Sequence, residues 1–113
     1  MTKLLFVILA LAAAVYAVDA TVSGTWAFSM QTDHGAAQGE MKLQQQGSKL
    51  TGSFDIEGMG TVPFTGKIEG NIVTLEAVVH DGQLTLRLSG TLHDNRIAGT
   101  VDPINGSWTA ARQ

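Results

Sequence analysis

The sequence contains no cysteine. It can therefore be neither a disulfide scaffold nor a lipoprotein held through a lipidated cysteine, and packing alone has to stabilise it. Basic residues are also scarce. Seven Lys and Arg stand against ten Asp and Glu, for a net charge of −3, and Lys42, Lys49, Lys67, Arg87, Arg96 and Arg112 are scattered along the chain. Binding to phosphate backbones requires a basic patch, so neither nucleic acid nor a polybasic grip on membranes is expected. Reaction signatures are missing too. There is no cysteine nucleophile, no Gly-x-Ser-x-Gly elbow, and no inward-facing carboxylate pair of the kind that cleaves glycosides. The expectation is a non-enzymatic protein without a cofactor.

Long apolar runs are absent except at the start. Lys3 leads into the run Leu4 to Val15, small residues follow, and Tyr16 and Asp19 interrupt it before the roughly 18 apolar residues that a spanning helix needs. This is the pattern of a secretory signal peptide over residues 1–20, with cleavage after Ala17 or Ala20. Removal through Ala20 takes away Lys3 and Asp19, leaving six basic and nine acidic residues in a single domain, 21–113. The expected location is secreted or periplasmic, in a bacterial cell envelope, because an exported chain without cysteine suits that compartment best.

What the remainder does have is alternation. Val22, Gly24, Trp26, Phe28 and Met30 share one face of a first strand, opposite Ser23, Thr25, Ala27, Ser29 and Gln31. The same period of two sets Met41, Leu43 and Gln45 on one face, then Leu50, Phe54 and Ile56, then Val62, Phe64 and Ile68. Val73, Leu75, Ala77 and Val79 continue it, followed by Leu84, Leu86, Leu88 and Leu92, by Ile97 and Val101, and by Trp108, Ala110 and Arg112. No segment of useful length keeps a helical period. The chain is all-β, and eight short strands in sequence predict an antiparallel up-and-down β-barrel, a meander whose closure removes exposed edges. A two-sheet sandwich would show the same alternation.

Turn chemistry assigns the ends. Gln46-Gly47-Ser48, Gly70-Asn71 and Asp94-Asn95 tolerate positive φ and predict tight hairpins at one, closed end. Longer connections (31–37, 57–60, 80–82 and 102–106) fall at the other, open end. Gly66 to Ile72 and Gly90 to Ile97 form a weak internal repeat of one hairpin shape. Inward glycines (Gly24, Gly52, Gly66, Gly90, Gly99) mark places where strands coil tightly.

Gly24-Thr25-Trp26 at the head of the first strand, the eight-strand meander and Arg112 in the last strand together resemble the calycin group of barrels, which includes lipocalins and avidins. The resemblance implies that Trp26 plugs the closed end beneath Arg112, a cation over an aromatic face, with Trp108 filling the interior beside it. An avidin-like stretch continues through Met41-Lys42-Leu43 and Leu50-Thr51-Gly52-Ser53-Phe54. The chain departs from avidins at Phe28 and Phe54, where they carry polar residues, so biotin is not an expected ligand.

The inward residues leave two readings. In one, the barrel holds a small hydrophobic molecule in or near its open end, with Phe28, Met30, Gln45, Phe54, Ile56, Met59, Leu86 and Ile104 as candidate contacts and residues 33–37 as a lid. Gln45 would orient a headgroup, or simply bond neighbouring backbone. In the other, the barrel is filled and its open-end loops engage a protein partner, as an interaction or inhibitor module. His34 and His80 each follow or precede an Asp in open-end connections, but the clustered ligand spacing of a metal site is missing. A polar outer face makes a monomer the default.

Overall fold

The computed structural model describes residues 21–79 and 82–113. The signal-peptide reading of residues 1–20, and the His80-Asp81 pair, lie outside the described residues.

Period-two alternation becomes eight antiparallel strands: β1 (Gly24–Thr32), β2 (Gly35–Gln46), β3 (Lys49–Ile56), β4 (Gly60–Glu69), β5 (Ile72–Val79), β6 (Leu84–His93), β7 (Arg96–Asp102) and β8 (Gly106–Arg112). Each pairs with the next in sequence, and β8 returns to β1 to close the barrel. The sandwich alternative is excluded by that closure. Among the described residues no helix is long and apolar enough to cross a membrane.

The inward positions read from the sequence are the core. Trp26, Met41, Leu50, Ile68, Val73, Leu75 and Ile97 are wholly buried, and each buried aliphatic or aromatic side chain contributes roughly 1.5 to 3 kcal/mol. No polar side chain is buried among them. Four rings cross the interior. Trp108 lies 6.0 Å from Phe28, Phe28 lies 4.6 Å from Phe54, and Phe54 lies 4.6 Å from Phe64, all in tilted arrangements. That spacing is the favourable range for aromatic pairs.

Backbone contact at the glycines is very close. A Cβ on Gly99 would fall 1.7 Å from the Ser89 carbonyl oxygen, and one on Gly90 would meet both the Ala98 carbonyl oxygen and the Trp108 ring at 2.9 Å. Gly99 pairs with Gly90 on one side and Trp108 on the other. The indole therefore lies over bare backbone, and its Nε1 donates to the Ser89 carbonyl at 3.3 Å. Trp108 does fill the interior, but it is not beside Trp26. The Phe28–Ala110 pair separates the Met30–Trp108 pair from Trp26–Arg112.

The closed end shows why its hairpins look alike in sequence. Gly47, Gly70 and Asp94 each open a two-residue turn with φ near +60°. The second residue of each turn then accepts a hydrogen bond from the strand after next. Ile68 donates to the Ser48 carbonyl (2.8 Å), Leu92 to Asn71 (2.7 Å) and Arg112 to Asn95 (2.9 Å). Strand stagger in a closed barrel brings these groups together, and the repeated turn is what it requires of the sequence.

The open end differs from expectation in one connection. Residues 33–37 do not form a lid. Only Asp33 and His34 lie outside the strands, while Gly35, Ala36 and Ala37 belong to β2 and pair with Thr32, Gln31 and Met30. The Thr32 hydroxyl accepts from the His34 amide (3.0 Å) and donates to the Gly35 carbonyl (3.2 Å), which closes the turn at two residues.

Candidate functional site

The two ends of the barrel have different chemistry. At the closed end residues 21–23 fold across the base and bury Val22 completely. The Val22 amide donates to Gln45 Oε1 at 2.8 Å, and Trp26 Nε1 donates to the Val22 carbonyl at 3.0 Å. Arg112 completes the seal. Its guanidinium carbon sits 4.5 Å from the Trp26 ring centroid, and its nitrogens donate to the Ser23 and Thr21 carbonyls (3.0 and 2.8 Å) and to Asn95 Oδ1 (3.2 Å). Gly24 runs beside them with φ +138°, a conformation that L side chains rarely adopt, and a Cβ there would touch Arg112 Nη1. Trp26, Arg112 and Gly24 are thus placed together.

Gln45 belongs to this base and not to the mouth. Its Oε1 is taken by Val22, and its Nε2 donates to the Gly47 carbonyl at 3.0 Å. Both ends of the amide bond backbone, which holds Gln45 at the base and away from the mouth. The inward position was legible in the strand period. What the sequence did not display was that residues 21–23 would fold back over it.

At the open end Met30, Met59, Leu86 and Ile104 come together around a cleft of about 380 Å³, with His34, Ala37, Val79 and Leu84 completing its wall. The lining is mainly apolar, as in most small-molecule sites. Met59 projects from the 57–59 turn and is about half exposed. Phe28, Phe54 and Ile56 lie deeper. With Met30, Met59, Val62 and Leu86 they surround a void of only about 20 Å³, space for about one water molecule. The candidate contacts therefore divide into a rim of four and a floor of three, and Gln45 stands apart.

Three features missed from sequence bear on the site. The aromatic row from Trp108 to Phe64 blocks the bore beneath the cleft. The β1–β2 turn is linked to the β7–β8 turn by the Asp33 amide, which donates to the Asn105 carbonyl at 3.1 Å, so part of the rim is tied down. A further depression, about 650 Å³, lies on the outer wall, lined by Ala27, Ser29, Ala111, Glu40, Asp55 and Arg96 among others. It is broad and open to solvent. The mouth cleft is smaller but lies over the apolar interior, which makes it the better enclosed of the two.

Among the described residues no three His, Asp or Glu side chains gather where they could hold a metal ion. Asp55 is opposite Glu40 and Thr61 on the outer wall, and Asp102 is opposite Arg87. Asp55 and Asp102 are both exposed, on the outer face of the sheet. No family model and no curated protein matches the chain.

Proposed function

We propose that this protein is an exported, lipocalin-like barrel without catalytic activity that binds a small hydrophobic molecule at its open end. The observation that carries this reading is the cleft of about 380 Å³ formed by Met30, Met59, Leu86 and Ile104 over the packed interior. Sites for small molecules are concave, mostly apolar and of this order of size. The ligand rests in the mouth, because the bore below holds a void of only about 20 Å³. The export part of this reading rests on the leader-like pattern of residues 1–20.

A second reading, a filled barrel whose open-end loops engage a protein partner, is favoured by that same packed interior. Native mass spectrometry of the protein, purified from its own host without detergent, separates the two. A reproducible added mass that is lost on unfolding supports the small-molecule binder. A bare chain mass, with no gain on incubation with extracts of host lipids and metabolites, rejects it in favour of the protein-interaction reading.

A further inference from the structure

We infer that the mouth cleft selects a flat aromatic molecule over a flexible alkyl chain, an inference that rests on the binding role proposed above. The depth of the site is the first reason. An alkyl chain gains most when it threads into a long bore, but here Phe28, Phe54 and Leu86 close the passage around a void of about 20 Å³. A chain held in the shallow cleft has to coil, and it loses rotamer freedom for every bond that is fixed. A fused ring system is already rigid. It buries comparable area without that loss, and about 380 Å³ accommodates two or three fused rings.

The lining is the second reason. Met30 and Met59 each border both the cleft and the void beneath it, so a bound molecule lies between two thioethers and the aromatic floor. Sulfur meets ring edges favourably, and unbranched methionine side chains adjust to flat surfaces. Phe28 and Phe54, already packed at 4.6 Å, extend the aromatic contact downward. His34 also lines the cleft and brings ring nitrogens that can hydrogen-bond a hydroxyl substituent.

The test uses the whole protein with carbon-13 in its methionine methyl groups, titrated with naphthol and, separately, with octanol, two neutral alcohols of comparable hydrophobicity. Met41 is wholly buried, opposite Trp26 in the lower barrel, and acts as the internal reference. The expected result is a ring-current shift of the Met30 and Met59 methyls by naphthol with Met41 unmoved, and an affinity about tenfold tighter than for octanol. The exposed Met59, changed to Ala, leaves the fold intact and narrows that preference. Octanol binding at the same methyls as tightly as naphthol would overturn the aromatic preference while leaving the binding role standing. Shifts of Met41 alone would place the ligand elsewhere and overturn the mouth assignment. No shift with either alcohol up to its solubility would reject both the preference and the binding role.

Discussion

The Arg112 guanidinium lies over the Trp26 ring at 4.5 Å, joining the last strand to the first. Trp26 is fully buried, so the cation covers a ring face that would otherwise be exposed, and its remaining donors reach two carbonyls of residues 21–23. Charge, stacking and a planar fork of donors are all used at once.

Arg112→Ala is therefore expected to lower stability by about 2 kcal/mol, combining a cation–π contact with lost hydrogen bonds at a partly solvated site. Arg112→Lys restores the charge but not the fork, and recovers less than half of the loss. Urea denaturation of the three proteins checks this. Full recovery by lysine would show that charge alone matters.

Gly99 offers a sharper steric test. Its missing Cβ would lie 1.7 Å from the Ser89 carbonyl oxygen, which belongs to backbone and cannot rotate away. Gly99→Ala is expected to cost about 3 kcal/mol or to prevent folding, since the β6–β7 pairing must separate to admit one methyl group. Circular dichroism melts report it, and a loss below about 1 kcal/mol contradicts the close approach.

Phe54→Ala probes the packed interior. Phe54 stands between Phe28 and Phe64 in the aromatic row, so its truncation opens a cavity continuous with the small void under the mouth. A destabilisation of about 3 to 5 kcal/mol is expected. The new space is apolar and should take up xenon, detectable by NMR, where the unaltered protein does not. Equal xenon uptake by both proteins would mean that the bore is already open.

Gln45 and Met59 separate the two ends. Gln45→Ala removes both backbone partners of the amide and is expected to cost about 1 to 2 kcal/mol while leaving ligand affinity unchanged. Met59→Ala is expected to change stability by less than about 0.5 kcal/mol and to weaken ligand binding. Paired calorimetry and denaturation measure both. The reverse pattern would move the site to the closed end.

The strand faces were legible because burial on one side of a sheet enforces a period of two, and every inward residue from Trp26 to Trp108 followed it. The seal made by Trp26 and Arg112 was legible through the resemblance, since their partnership joins positions far apart in the chain. The shape of the mouth was less so. Asp33-His34-Gly35-Ala36-Ala37 reads as a polar and small loop, yet one threonine hydroxyl tightens it to a two-residue turn. Gln45 showed its inward direction but not its destination, which depends on how residues 21–23 cross the base. The aromatic row and the bare backbone under Trp108 depend on register across several strands, and alternation within one strand carries no record of that.

The three turn carbonyls that accept from the strand after next divide the molecule into consecutive hairpins, each latched to the following one at the base. At the opposite rim the 57–59 turn takes part in none of these three latches. Residues 57–59 can then be lengthened or exchanged without disturbing a latch, whereas an insertion at residues 47–48, 70–71 or 94–95 unfastens one. The fold is in effect a fixed base carrying one exchangeable turn, and new recognition properties can be grafted onto residues 57–59 while the foundation stays the same.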